Sequence, residues 1–187
     1  MENSKKINMN DIDEVRNSLI TKFHYFDIFE IRVIGKGGHA AMPQTTIDPI
    51  VIGSKIIDAF QSIVSRIIDP QEPSVLSITQ FHGGDAYNVI PNEIEIKGCT
   101  RCFSEKVQNQ LETQMKDIAE NICKAYGAEY EFFYEKRYPP TVNSENEAKL
   151  SGQVAIDVVG EEHVRLSPKP AMGSEDFAYM LQEKPGS

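Results

Sequence analysis

An α+β domain, with its elements in the order β-α-β-β-α-β around one antiparallel sheet, is the fold class predicted by the 187-residue sequence. Three observations predict it. Four short segments alternate apolar with polar residues, as half-buried strands do. Two longer segments carry apolar residues at helical spacing and fall between strands one and two and between strands three and four. Glycine, proline or aspartate turns separate these segments.

Strand one is expected over residues 29–34, where Phe29, Ile31 and Val33 alternate with Glu30 and Arg32. A glycine turn follows, and Asp48 can then cap a helix whose first position is Pro49. Ile50, Ile56 or Ile57, Phe60, Ile63, Val64 and Ile67 recur along that helix, which ends near Asp69-Pro70. Residues 75–81 read as strand two, broken by His82-Gly83-Gly84-Asp85. Residues 93–103 read as strand three, with Ile94, Ile96, Thr100 and Cys102 on one face and Glu93, Glu95, Lys97 and Arg101 on a wet one. Ser104 caps a second helix in which Val107, Leu111, Met115 or Gln114, Ile118, Ile122 and Tyr126 share a face, and Gly127 stops it. Strand four, residues 129–135, alternates Tyr130, Phe132 and Tyr134 with acids. Both helices can pack on the apolar face of the sheet, a ferredoxin-like arrangement.

The rest looks attached to this unit rather than integral to it. Residues 1–28 form an N-terminal extension that includes a short helix over 11–22, the ferredoxin-like domain spans 29–140, and 141–187 form a separate C-terminal piece. Tyr138-Pro139-Pro140 marks the exit. Beyond it a helix near 146–159, an extended stretch around 164–166 and a second helix opening at Ser174 are expected. The apolar faces of those helices lack an evident partner, so the complete protein is expected to contain further sequence.

Composition narrows the function. The net charge of -9, with no lysine or arginine cluster, disfavours a phosphate backbone as partner. No apolar run approaches the roughly 18 residues of a membrane span, and the polar residues 1–10 lack the apolar core of a secretory signal. Three cysteines, an odd number, fit a reducing compartment rather than a disulfide framework, which points to the cytoplasm. Cys99-Thr-Arg-Cys102 has the spacing of a redox or zinc pair, but residues three apart on a strand point to opposite faces, which favours structural thiols.

Several residues could carry chemistry. His39 lies in Gly35-Lys-Gly-Gly-His-Ala-Ala-Met-Pro43, where glycines let the backbone approach a ligand closely or adopt positive φ, and Ala40 and Ala41 leave the ring uncrowded. It can contact a substrate or close a local loop. Asn88, in Gly83-Gly-Asp-Ala-Tyr-Asn-Val-Ile-Pro91, offers an amide that both donates and accepts, or it closes a turn; His82 can end a strand facing solvent. Arg101 can clamp a carboxylate or pair with Glu93 or Glu95. In Met172-Gly-Ser-Glu-Asp-Phe177, Ser174 and Glu175 suit a helix N-terminus, and Ser174 with nearby amides could hold a substrate group. Ser174 lacks the G-x-S-x-G elbow of a hydrolase nucleophile.

Three motifs in this order, GKGGHAAMPQ, GGDAYNVIPNEIEIKGCTRCF and MGSEDFAYML, resemble the M20 metallopeptidase family, in particular its amidohydrolases of N-acyl amino acids, hippurate and auxin conjugates. The resemblance covers residues 29–187. It implies a ferredoxin-like lid and dimerisation domain joined to part of a catalytic domain. It implies that His39 reaches across a homodimer interface to stabilise the oxyanion of a scissile amide, that Asn88 holds substrate, and that Arg101 is similar to the family's carboxylate-binding arginine. Residues Gly173 to Asp176 resemble a substrate-lining loop. The family's metal ligands and general-base glutamates have no counterpart in this sequence, so a divalent metal, zinc, manganese or cobalt, belongs to the complete enzyme and this chain alone is expected to be inactive. A stand-alone ferredoxin-like module that binds a small ligand or regulates by dimerising is the other reading, since fold does not fix function.

Overall fold

The computed structural model describes residues 24–164 and 175–187. One compact unit runs Tyr25–Arg137, and the described residues from Tyr138 onward belong to a second. In the first, the elements are β1 (Tyr25–Ile34), β2 (Gly38–His39), α1 (Pro49–Ser62), β3 (Ser74–His82), β4 (Val89–Ile90), β5 (Glu93–Cys102), α2 (Glu105–Tyr126) and β6 (Glu129–Tyr138). The main sheet has the order β3-β5-β1-β6, and β5 pairs antiparallel with both β1 and β3. This is the expected α+β arrangement of β-α-β-β-α-β type, with β2 and β4 forming a separate two-stranded ribbon.

Alternation explains the sheet. Phe29, Ile31 and Val33 of β1 and Ile94, Ile96 and Cys102 of β5 point into one core, where Ile52, Ile56 and Phe60 of α1 and Val107, Leu111 and Met115 of α2 meet them. Phe29 and Phe60 join sheet to helix edge-to-face, with centroids 6.3 Å apart. On the opposite, wet face Arg32 bridges Glu93 at 2.7 Å and Glu131 at 3.0 Å, while Lys97 holds Glu30 and Glu95. These pairs are exposed, so they contribute little stability and mainly keep that face solvated.

The caps form as expected. Asp48 Oδ1 accepts from Ile50 N at 2.9 Å, Ser104 Oγ accepts from Val107 N at 3.3 Å, and Gly127 closes α2 with φ 71°.

Four details differ from expectation, each for a physical reason. β1 begins at Tyr25 rather than Phe29, because the inward position before Phe29 is Asp27, whose carboxylate hides the alternation. After α1 the helix widens into a single π turn, Ile63–Ile67, so Ile68 rather than Ile67 reaches the core, and Ile50 lies outside it. On α2 the buried line is Val107, Leu111, Met115, Ala119 and Cys123, with the partly buried Ile118 and Ile122 packed against the core and Tyr126 exposed. Gln108 is buried as well, because it serves Asp27.

In the second unit α3 (Glu145–Val159) matches the expected helix. Ser144 precedes it without capping it; its backbone N donates to Gly186 O at 2.8 Å and its Oγ accepts from Gly186 N at 3.1 Å. The last helix, α4 (Phe177–Glu183), starts after the expected Ser174, which lies outside the described residues, as does the helix expected over 11–22. Of the stretch expected at 164–166, Val164 is described, and it is not in a strand. Among the described residues no helix is long and apolar enough to cross a membrane.

Candidate functional site

Where β1 ends, the chain enters a loop whose backbone groups are almost all taken up. Gly35 N donates to Asn92 O at 2.8 Å and Gly37 N to Asn92 Oδ1 at 2.9 Å. Lys36 and Ile47 exchange both backbone hydrogen bonds at 2.9 Å, which closes the loop on its other side. β2 then pairs antiparallel with β4, placing Gly38 opposite Ile90 and His39 opposite Val89, and Ala40 N donates to Asn88 O at 2.9 Å. The glycine turn and the Asn88 turn, separated in sequence by α1 and β3, are therefore one structure.

The glycines do a different job from the one expected. None of Gly35, Gly37 and Gly38 has positive φ. A Cβ on Gly37 would lie 2.5 Å from Ile90 O and 2.9 Å from Pro91 C, so this glycine permits a close approach to the neighbouring strand.

His39 is exposed, and its Nδ1 accepts a hydrogen bond from Ala41 N at 3.1 Å. With Nδ1 accepting, the ring proton is assigned to Nε2, which offers an N–H donor. Val89, the cross-strand partner, projects from the same face and is half exposed. Asn88 is exposed beside it, with its backbone carbonyl engaged and its side chain at the surface. Tyr87 stands fully out of the preceding loop. An open groove runs along β4, lined by Gly37, Gly38, Val89, Arg32, His82 and Glu95. Asn92, which holds the two turns together, is the residue that sequence reasoning missed; its signal was an Asx residue directly after Pro91 at the mouth of a strand.

The other candidates lie elsewhere. Arg101 sits at the far end of β5, eight residues from Glu93, or roughly 27 Å at the usual strand rise. Its guanidinium stacks on Phe26 at 4.6 Å, and the acids expected as its partners bind Arg32 and Lys97 instead. Glu175 is exposed in the second unit, just ahead of α4, and Ser174 lies outside the described residues. Cys99 is half-buried and Cys102 buried, on opposite faces of β5; both are free thiols, and burial pushes Cys102 up to about 12. Among the described residues no three of His, Cys, Asp or Glu converge as a metal site would require, so they do not fit the divalent metal that the motifs imply.

Comparison with known proteins bears on this geometry. Residues 28–127 match the M20 peptidase dimerisation domain. An N-acyl-L-amino acid amidohydrolase of Geobacillus stearothermophilus is 50% identical over 117 residues, which is 63% of this chain and 32% of that protein. Thermostable carboxypeptidase 1 of Saccharolobus solfataricus is 38% identical over 162 residues, 86% of this chain and 40% of that one. The crystal structure of Bacillus subtilis YXEP, described as a dinuclear metal binding peptidase of the M20 family, superposes with a TM-score of 0.67 at 27% identity, covering 88% of this chain and 39% of that chain. The chain thus spans well under half the length of each of these three proteins.

Proposed function

The chain belongs to the M20 peptidase dimerisation-domain family, and from that premise we propose that it supplies the lid and dimerisation part of a metal-dependent amidohydrolase that cleaves N-acyl amino acids. The observation that carries this reading is the β2–β4 ribbon, which presents an exposed His39 with its Nδ1 already occupied by Ala41 N. Amide hydrolysis places negative charge on the carbonyl oxygen as the carbon becomes tetrahedral. A donor fixed in advance by the backbone stabilises that charge without reorganising at the moment of reaction. In this reading His39 serves the active site of a partner subunit, and Asn88 beside it orients the same amide.

The assembly is a homodimer, formed through the edge strand β3 and α1. Arg101 takes the substrate carboxylate in this reading, and Ser174 and Glu175 line the substrate; Arg101, at the opposite end of β5, serves a different point of the assembly from His39. The divalent metal, zinc, manganese or cobalt, is held outside the described residues, so the chain by itself is inert toward hippurate and N-acetyl amino acids. The likeness to YXEP, a dinuclear metal binding peptidase, and the 50% identity to an N-acyl-amino-acid amidohydrolase support these assignments. Three free cysteines fit a cytoplasmic setting.

The test is a chimera in which residues 29–187 replace the matching part of the Geobacillus amidohydrolase. Turnover of N-acetyl amino acids is expected, and His39→Ala is expected to lower kcat by about 100-fold or more, the scale of losing one oxyanion donor. A His39→Ala chimera within twofold of its parent would remove His39 from the chemistry.

A further inference from the structure

We infer that Asn92 is a positioning residue for His39, acting through Gly37; the functional consequence rests on the reading of His39 given above. β2 is only two residues long, and a two-residue ribbon supplies too few ladder bonds to fix a side chain. Beside the Lys36–Ile47 bridge and the Ala40–Asn88 bond, two further ties come from a single residue. Asn92 accepts with its backbone O from Gly35 N and with its side-chain Oδ1 from Gly37 N, two residues short of the imidazole.

Gly37 lies close against Ile90 and Pro91 of the opposing turn, so the peptide that Asn92 holds has no room to shift toward that turn. Pro91, directly before Asn92, holds its own φ fixed, and the Asn92 side chain reaches the glycine turn at Gly37 N, 2.9 Å away. From Gly37 the chain passes through Gly38 to His39, whose ring orientation then depends on Ala41 N meeting Nδ1 at 3.1 Å. Asn92 Oδ1 therefore sets where the Gly37 peptide lies, the ribbon carries that placement to His39, and the Ala41 bond converts it into a tautomer. Only an oxygen acceptor is needed for the Gly37 bond, so aspartate can replace asparagine and alanine cannot.

The experiment uses the full 187-residue chain with Asn92→Ala and Asn92→Asp. Amide hydrogen exchange is followed at Gly37, Ala40 and Ala41, and the ring 15N shifts of His39 report its tautomer. In Asn92→Ala, exchange at Gly37 and Ala41 is expected to quicken at least about 10-fold, and the His39 shifts to move from the Nε2–H pattern toward the average of both tautomers. In Asn92→Asp both readouts should return to the parent values. An Asn92→Ala chain whose His39 shifts stay unchanged, or an aspartate variant that behaves like alanine, overturns the inference. In the chimera described above, Asn92→Ala should lower kcat by about 10- to 100-fold with KM within about threefold, since the loss is of orientation rather than of binding; an unchanged kcat there, with His39→Ala damaging, also overturns it. If His39→Ala itself leaves turnover intact, the proposed function fails, while the tautomer measurement still decides the role of Asn92.

Discussion

Asp27 shows why a single residue can be both decisive for the fold and hard to read. It occupies an inward position of β1, in phase with Phe29, Ile31 and Val33, and is fully buried. Gln108 Nε2 donates to both its oxygens at 2.9 and 3.0 Å, Tyr134 OH donates at 2.8 Å, and Arg137 N donates at 3.4 Å. With the Tyr134 proton committed to Asp27, the Thr100 hydroxyl donates to Tyr134 at 2.6 Å. One carboxylate thus ties β1, β5, β6 and α2 together. Burial raises its pKa above the ordinary value, against the lowering effect of those hydrogen bonds and of Lys136.

The sign follows from linkage. The folded state binds the Asp27 proton more tightly than the unfolded state, so the contribution is fully present below about pH 4 and is lost as pH rises through the folded-state pKa. Asp27→Asn cannot titrate. The Tm difference, Asn variant minus parent, should therefore grow more positive from pH 4 toward 7, whatever its absolute sign. Thermal melts of both proteins across that range check it, and a difference that is flat or falls with pH refutes the raised pKa.

At the scale of elements, what was legible depended on whether a residue's role was local. Asp48, Pro49, Ser104 and Gly127 act on chain neighbours, and each is found at the cap that its chemistry suggested. Asp48→Ala should cost about 1 kcal/mol in urea unfolding, and Gly127→Ala a similar ~1 kcal/mol, because φ 71° puts a Cβ against the following carbonyl. The β2–β4 ribbon was invisible, since two-residue strands carry no period and their partners lie beyond α1 and β3. His39 and Asn88 were nevertheless both picked out, by glycine context and amide chemistry; that they adjoin, and that Asn92 joins them, needed the tertiary structure.

The two outer strands differ in a way that bears on assembly. β6 carries charges at Glu129, Glu131, Glu135, Lys136 and Arg137, as protected edges do, whereas β3 reads SVLSITQFH with no Asp, Glu, Lys or Arg. An uncharged edge is suited to adding a strand from a second copy. On the proposed homodimer, Ser77→Lys with Thr79→Lys should convert the dimer to a monomer in sedimentation velocity without altering far-UV circular dichroism. A double variant that still sediments as the parent dimer would move the interface away from β3.

Among the described residues, the first unit has a filled core and the second buries few apolar side chains. Between Tyr25 and Arg137 two helices cover one face of a four-stranded sheet, and residues from both helices and the two central strands are buried together. In the described part of the second unit Ala148 and Ala178 are the buried apolar residues, while Leu150, Val154 and Val158, on one face of α3, stand 66%, 52% and 76% exposed. Three aliphatic side chains in a row on the surface of a helix ordinarily mark a face that meets another surface. On the functional reading that surface is the remainder of a catalytic domain. The consequence is an autonomy test: residues 25–137 cut out alone should unfold cooperatively within a few degrees of the full chain, because the core cluster of that unit is built from its own strands and helices. The full chain should bind a hydrophobic dye more strongly than the excised unit, and Leu150→Glu with Val154→Lys should remove most of that excess. If the excised unit instead fails to fold, residues outside it complete its core, and the division into an autonomous lid and a dependent remainder is wrong.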